Sequence, residues 1–261
     1  MEEITETRRK SFALVAGSDS RHFAFHMDGK PEKTLSIFVD ESGRFLFPDA
    51  ISRFYIVSLV LHDQSDGISP LVEALDRDFL EIGVIGRSFH AGPAIRQEKG
   101  YALMTWELRS RIFSRMMAFA RKAPFRYCCV HADKKFISSE AYLSEAVENR
   151  LRGFAEAQAA LFAGFGRVKI YYDGGQQAVT GMLHRVFGDA LGGKAVFAQE
   201  VRPEKYRLFQ IADLLCSVEL ARLKLETGMG LSNSESRFFG GRKAFLHNVV
   251  RPLLRKRVPE R

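Results

Sequence analysis

Three aspartates from distant parts of the sequence carry its strongest chemical signal. Asp40 ends one short apolar run, Asp173 ends another, and Asp213 lies early in a long amphipathic segment. Short apolar runs are typical of buried strands, so the first two carboxylates would each stand on a rigid platform. Oxygen ligands from several separate elements are what Mg²⁺ and Mn²⁺ prefer. The three residues therefore predict a divalent-metal site.

A site of this kind suits phosphodiester chemistry. Two divalent ions held roughly 4 Å apart by carboxylates can activate water and stabilise the leaving oxygen. Glu41 directly follows Asp40, and neighbouring strand residues point to opposite faces of a sheet. We therefore take Asp40 as the shared ligand and Glu41 as a second candidate, which would face the site only where the strand has ended.

The later acids also have structural interpretations. Asp173 precedes Gly174, and Asp-Gly is a common turn dipeptide, so a turn explains Asp173 better when this residue is taken alone. Asp213 has apolar neighbours, and a buried carboxylate must be paired, hydrogen-bonded or bound to metal. A buried pair between Asp213 and an arginine or lysine carries about equal weight.

The elements that position these acids follow from hydrophobic patterning. Runs of β-branched and aromatic residues predict strands at 35–39, 45–47, 54–61, 125–130, 168–172 and 195–201. Helical spacing predicts helices from Ser69-Pro70 onward, at 101–120, from Ser138 or Ser139 to about 165, at 178–191 and at 206–225. The first three strands would form an antiparallel meander, and crossover helices would join the later ones. This order predicts an α/β fold with a mixed sheet flanked by helices.

Charge and composition indicate the class of partner. The 261 residues carry a net charge of +8 with a pI of about 9.5, which favours a polyanion such as DNA or RNA. No apolar stretch approaches the length of a membrane span, and the charged N-terminus lacks a secretory core. We therefore expect a cytoplasmic protein with no membrane partner. Whether it forms a homo-oligomer stays open.

The cysteines do not add a second kind of site. Cys128, Cys129 and Cys216 form neither a disulfide framework nor a zinc pattern. Two of them lie in a predicted strand and one in a predicted helix, so we interpret all three as buried thiols. The sequence also lacks a P-loop and a Gly-x-Ser-x-Gly elbow, which argues against a P-loop nucleotide enzyme and an α/β-hydrolase.

Taken together, the acidic motifs resemble a known family. Asp-Glu-Ser-Gly at 40–43, the strand that ends in Asp173, and Gln-Ile-Ala-Asp-Leu-Leu at 210–215 resemble the domain-of-unknown-function 3800 family, a bacterial branch of the ribonuclease H-like superfamily. The resemblance covers residues 35–225. It implies a ribonuclease H-like, mixed five-stranded sheet with antiparallel first strands, flanked by helices, and an acidic two-metal centre.

The resemblance also assigns roles to individual residues. It implies that Asp40, Asp173 and Asp213 bind Mg²⁺ or Mn²⁺, with Glu41 assisting. His90 matches a histidine that recurs in the family and would contact the scissile phosphate, orient water or bind metal. Without the resemblance, a structural hydrogen bond is the better explanation of His90.

Three basic residues are candidates for phosphate contacts. Lys134 follows the strand predicted at 125–130, where a capped strand end with solvated charges is the simpler account. Lys205 and Arg207 immediately precede the Asp213 helix and would lie near the mouth of the site.

These expectations define domains and a function. We expect an N-terminal arm at 1–34, a ribonuclease H-like domain at 35–227 with a helical insertion around 66–122, and a basic C-terminal tail at 228–261. The predicted function is that of a metal-dependent nuclease. The alternative is a catalytically silent nucleic-acid-binding protein of a mobile-element or phage-defence system, as the basic charge alone suggests.

Overall fold

A mixed β-sheet lies at the centre of the computed structural model, which describes residues 32–49, 51–84, 86 and 88–260. The described strands are β1 (Thr34–Ser42), β2 (Phe54–Asp63), β3 (Arg126–Asp133), β4 (Arg167–Tyr171) and β5 (Ala195–Phe197). Their order across the sheet is β3-β2-β1-β4-β5. β2 pairs antiparallel with both β1 and β3, whereas β4 pairs parallel with both β1 and β5.

These pairings confirm an α/β fold built on a five-stranded mixed sheet. The antiparallel order β3-β2-β1 is consistent with the predicted antiparallel start, but its third strand is Arg126–Asp133 and not a segment of the predicted meander. The strand predicted at 45–47 is wrong. The Phe45 ring packs edge-on against Tyr55 with ring centroids 5.0 Å apart. Its backbone N–H donates to the Gln176 side-chain oxygen at 2.9 Å, so a side chain takes the place of a neighbouring strand. Phe45 and Phe47 are only partly buried and Leu46 is exposed, so the apolar pattern at 45–47 marked neither a strand nor a buried segment.

Helices cover both faces of this sheet. Those before the C-terminal segment are α1 (Ser69–Glu81), α2 (Ala91–Arg96), α3 (Trp106–Lys122), α4 (Glu140–Ala157), α5 (Ala159–Ala163), α6 (Gln177–Leu191) and α7 (Arg207–Glu226). The C-terminal segment adds α8 (Asn233–Phe239), α9 (Gly241–Phe245), a π-helical turn (Leu246–Val250) and α10 (Arg251–Leu254). Short 3₁₀ turns lie at Lys99–Tyr101, Lys134–Phe136, Gly192–Lys194 and Pro203–Lys205.

The side-chain alternation of β1 divides the core into two layers. Phe38 packs in the layer formed with α1, α2, α3, α7 and the C-terminal helices. Ile37 and Val39 point the other way, into the layer formed with α4, α5 and α6. A sheet buried on both faces holds its strands in a fixed register, because a one-residue slip would move every side chain to the opposite layer.

Capping residues account for several helix boundaries. Thr105 accepts a hydrogen bond from the Leu108 N–H at 3.3 Å and starts α3 later than predicted. Ser139 caps α4 in the same way, as one of the two predicted starts required. α1 begins at Ser69 without a side-chain cap. The helix α2 was not predicted, since its six residues are too few to show a helical period.

The ends of the chain bear on the domain prediction. From Glu32 onward the chain forms one compact unit. Most of the arm predicted at 1–34 lies outside the described residues. The segment predicted as a basic tail contributes fully buried Phe245 and buried Val258 to the core. In the part of the chain that the structure describes, no helix has the length and apolarity that a membrane crossing requires.

Candidate functional site

Parallel pairing of β1 and β4 brings Asp40 and Asp173 to one edge of the sheet. Phe38 lies opposite Tyr171 in this pairing, and the two rings stack with centroids 4.6 Å apart. Asp40 and Asp173 each follow two residues after this pair. Because parallel strands run in the same direction, both carboxylates leave the sheet at its carboxyl edge, where open α/β sheets generally bind ligands.

Helix α7 carries Asp213 to the same edge. The buried Ser58 hydroxyl on β2 donates to the Ala212 carbonyl at 2.8 Å. One turn further along α7, the Cys216 thiol donates to the Asp40 carbonyl at 3.4 Å. These two contacts fix α7 against β1 and β2, and Asp213 directly follows Ala212. The helix position therefore decides that Asp213 faces Asp40.

Burial and the crowding of carboxylates around Asp40 both raise its pKa. Burial raises the pKa of Asp40 well above its ordinary value, and repulsion by Asp213, Glu41 and Asp173 raises it further. The backbone N–H of Glu41 donates to Asp40 and opposes these effects only in part. Three acids from separate parts of the fold thus act on one half-buried carboxyl group. Like charges in this arrangement favour a bound cation, since a cation relieves the repulsion.

Asp213 is held in place by the segment that starts α2. Its Oδ2 lies 3.0 Å from His90 Nδ1, and its Oδ1 accepts the Ala91 N–H at 3.1 Å. The hydrogen bond to Asp213 is the main cause of a raised His90 pKa. Gln210, one turn earlier on α7, donates to the Ser88 hydroxyl at 3.2 Å and ties down the same segment. The partners of Asp213 are thus a half-exposed histidine and a backbone amide, where the sequence suggested a buried arginine or lysine as the alternative to metal.

Glu41 points away from Asp40, toward the start of α6. Its Oε1 accepts the Gln176 side-chain N–H at 3.1 Å, whereas its buried Oε2 has no hydrogen-bond partner among the described residues. Burial raises the pKa of Glu41; the Gln176 bond lowers it, and Asp173 raises it. An unpartnered buried carboxylate oxygen is costly unless a ligand completes it, which fits a cation site.

Gly175 separates Glu41 from Asp173. A Cβ atom at this position would lie 2.9 Å from Glu41 Oε1 and 3.3 Å from Asp173 Oδ1. The Gly175 N–H also donates to Asp173 Oδ1 at 3.0 Å, so the predicted Asp-Gly turn does form. Asp173 therefore belongs to a turn and to the acidic edge at once.

The acids open into two different cavities. Asp40, Glu41 and Asp213 line a cleft of about 200 Å³. Asp173 lines another cavity of about 270 Å³, together with Tyr172 and His184. Among the described residues, no three His, Cys, Asp or Glu side chains are grouped closely enough to hold a metal ion. The structure thus brings the predicted acids to one edge of the sheet without closing them around one point.

Arg96 is a cleft residue that the sequence did not reveal. It lies at the end of the unpredicted helix α2 and lines the 200 Å³ cleft. Its guanidinium group pairs with Glu98 at 3.0 Å and stays nearly half exposed. A Cβ at Gly92 would lie 3.1 Å from Arg96 Nη1, so this glycine gives the arginine room. The Gly-x-x-x-Arg spacing was the available signal, and it is a weak one.

The three predicted phosphate contacts have different surroundings. Lys134 is buried, donating to Asp49 at 2.6 Å and to the Arg44 carbonyl at 3.0 Å. Its charge is therefore neither solvated nor available to a phosphate, and both predicted accounts of Lys134 are wrong. Arg207 donates to Asp76 at 2.5 Å and to Gln210 at 2.7 Å, which holds α7 to α1. Lys205 is exposed in the turn just before α7.

Comparisons with known proteins give no family. No protein-family model matches the chain, and no curated protein matches it significantly. Functional inference therefore depends on the geometry of the acidic edge.

Proposed function

We propose that this protein is a metal-dependent nuclease of the ribonuclease H-like type, which hydrolyses phosphodiester bonds of DNA or RNA. The observation that carries the proposal is the convergence of Asp40, Glu41, Asp173 and Asp213 at one sheet edge, where the last three raise the pKa of Asp40. Carboxylates gathered in this way repel one another, and a bound cation would relieve that repulsion. Perturbed carboxyl groups in a cleft are typical of functional sites.

The strand arrangement supports the ribonuclease H-like part of this proposal. The order β3-β2-β1-β4-β5, with β1 antiparallel to β2 and parallel to β4, agrees with the sheet that the family resemblance implies. In this arrangement β1 is the central strand, so Asp40 occupies the most rigid position of the edge. A shared ligand for metal is best placed there.

The residues of the site have separable roles. Asp40, Asp173 and Asp213 would hold Mg²⁺ or Mn²⁺, which when bound activates water and neutralises the leaving oxygen. His90 holds Asp213 through Nδ1, and its half-exposed ring leaves the other nitrogen for a substrate phosphate. The raised pKa of His90 keeps its positive charge to higher pH, which favours that contact. Gln176 holds Glu41 in orientation from the opposite side.

The proposal is tested by replacing the central acid. Asp40→Asn should lower Mn²⁺-dependent cleavage by more than about 100-fold, because a neutral amide would hold the cation more weakly than the carboxylate. Single-stranded DNA, duplex DNA, RNA and hybrid are compared with and without Mn²⁺ on a gel. Asp66→Asn is the matched control, since Asp66 is exposed beyond the opposite end of β2. Equal cleavage by both variants would contradict the nuclease assignment.

A second function is favoured by one specific observation. Asp173 lines a different cavity from Asp40 and Asp213, which is the arrangement expected if the edge no longer assembles a metal centre. The protein would then bind nucleic acid without cleaving it, as a component of a mobile-element or phage-defence system. This alternative predicts salt-sensitive binding and no product with any divalent metal.

A further inference from the structure

A basic groove lies at the C-terminal helices, away from the acidic edge. It is a cavity of about 680 Å³ with no acidic side chain in its described lining. Its five basic members are Arg121, His247, Arg251, Arg255 and Lys256. We refer to these five residues as the C-terminal groove.

The helical geometry aligns three of the five on one side. His247, Arg251 and Arg255 are spaced four residues apart along the continuous run of α9, the π-helical turn and α10. In an α-helix, a spacing of four overshoots one turn by about 40° per step. A π-helical turn closes hydrogen bonds over five residues, so that a spacing of four falls short of a full turn within it and offsets the α-helical overshoot. The π-helical turn thereby helps to keep the three side chains on the same groove.

The charges of the groove are not neutralised by neighbouring acids. Arg121 donates to the Asn248 carbonyl at 2.9 Å, and Lys256 donates to the Ala123 carbonyl at 2.7 Å. Arg251 and Arg255 are exposed and form no ion pair within the described part of the chain. Arg53 and Arg185, by contrast, pair with carboxylates at 2.5 and 2.6 Å. The exposed positive charge of this groove is thus not compensated by acids among the described residues.

The groove is also firmly attached to the sheet. The Tyr127 N–H on β3 donates to the Lys256 carbonyl at 3.0 Å, and the Val258 N–H donates back to the Tyr127 carbonyl at 2.8 Å. Arg257, between them, pairs with the buried Glu219 of α7 at 3.1 Å. A rigid array of cations loses little entropy when it binds a repeating array of anions. This preorganisation distinguishes the groove from a flexible basic tail.

Helix α3 relates the groove to the acidic edge. Arg109 donates to the Ala94 and Ile95 carbonyls of α2, the helix that lines the acidic cleft, and Arg121 lies twelve residues further along α3. Twelve residues correspond to about 18 Å of helix axis. A duplex advances about 3.4 Å per base pair, so that five or more base pairs would separate the two contacts.

From these observations we infer that the C-terminal groove binds the phosphodiester backbone of a nucleic acid outside the reacting site. The inference rests on the proposed function for the choice of polyanion. Arginine guanidinium groups suit phosphate because they present planar pairs of donors. Contacts to phosphates carry no sequence information and would position the strand without selecting it.

The test measures binding separately from cleavage. Arg251→Ala with Arg255→Ala is placed in the Asp40→Asn background, and anisotropy is recorded with about 20 base pairs of duplex DNA or duplex RNA over a salt series. The matched control, Arg167→Ala with Lys194→Ala, removes the same charge from exposed positions beside β4 and β5. Groove substitution should weaken binding roughly tenfold or more and lower the salt slope by about 2, and the control should change binding less than about twofold.

Three results would overturn the groove assignment. The first is that the groove variant binds the duplex as tightly as its parent. The second is that the groove and control variants weaken duplex binding equally. The third is that the groove variant loses binding to anionic vesicles but still binds the duplex. Gel cleavage by the chain with an intact Asp40 keeps the two proposals apart. Groove-dependent binding without cleavage by any metal would remove the nuclease assignment alone, whereas cleavage with groove-independent binding would remove the groove alone.

Discussion

Asp40 is held in an environment that disfavours its own charge. Burial and three neighbouring carboxylates raise its pKa, so the folded protein binds a proton at Asp40 more tightly than the unfolded chain does. In the metal-free protein, stability therefore falls as pH rises from the ordinary value of 3.8 through the raised pKa of the folded state. A residue that destabilises the fold is usually retained for function.

Replacing Asp40 should reveal how much its charge destabilises the folded protein. Asparagine does not titrate, so the metal-free Asp40→Asn protein should be more stable than the parent at pH 7, by on the order of 1 kcal/mol or more. That corresponds to a melting temperature about 2–4 °C higher. The difference should shrink as pH is lowered toward 4 in calorimetry with chelator present.

The Asp66→Asn protein serves as the reference for this comparison, because its exposed site lacks the crowding. If Asp40→Asn does not raise the melting temperature, or raises it equally at every pH, the acids do not repel one another as described.

Gly175 offers a second test at the residue scale. In Gly175→Ala, the new methyl group would meet Glu41 Oε1 and push apart two acids, while the ends of these side chains can move at low cost. We expect Mn²⁺-dependent cleavage to fall about tenfold or more, with melting temperature lowered by no more than about 4 °C.

Gly188→Ala is the control for that substitution, because a Cβ at Gly188 meets nothing within 4 Å inside α6. It should be neutral or slightly stabilising, since alanine favours helix. Equal loss of activity in both alanine variants would show that Gly175 has no specific role in the acidic site.

At the scale of elements, the packing of α7 on the sheet sets the position of Asp213. The Ser58 hydroxyl, fully buried, makes the decisive contact to the Ala212 carbonyl. Ser58→Ala should lower the free energy of unfolding by about 1 kcal/mol and also weaken Mn²⁺ binding, measured by calorimetry.

Ser65→Ala removes a hydroxyl that is exposed and bonded to Asp63 at 2.7 Å, so its effect should stay within about 0.5 kcal/mol. Metal binding that is unchanged in Ser58→Ala, despite the lost stability, would argue that α7 does not position a ligand.

The sequence predicted these elements unevenly. Apolar runs at β1, β2 and β4 and the long period of α7 were sufficient, since each buries a continuous face. The contact of His90 with Asp213 was not predictable, because it joins residues 123 positions apart through the short helix α2. Individual acids were found from local context, and their hydrogen-bond partners were decided by tertiary packing.

At the scale of the whole molecule, the basic residues behind the net charge of +8 differ in whether they pair with acids. Many arginines pair with acids and stabilise the fold, as Arg257 does with Glu219. Within the described part of the chain, the basic side chains of the C-terminal groove form no ion pair, whereas carboxylates gather at the acidic edge. Total charge predicted a polyanionic partner, but only the folded chain shows where unpaired cations gather, because pairing depends on contacts between distant segments.

A bound cation should stabilise the whole protein by acting on this acidic edge. Under the proposed function, Mn²⁺ binds the folded state and relieves repulsion at Asp40, so we expect the parent's melting temperature to rise by several degrees at about 100 times the dissociation constant. Asp40→Asn should show a much smaller rise. Ca²⁺ and Mg²⁺ titrations in the same thermal-shift assay would report how selective the site is.

The most direct measurement is anomalous diffraction from crystals soaked in Mn²⁺. We predict an anomalous peak at the carboxyl edge of the sheet, within about 2.5 Å of oxygens from Asp40 and from Asp173 or Asp213. Density that shows these carboxylates without any ion, in crystals that bind Mn²⁺ elsewhere or not at all, would contradict the metal centre on which the proposed function depends.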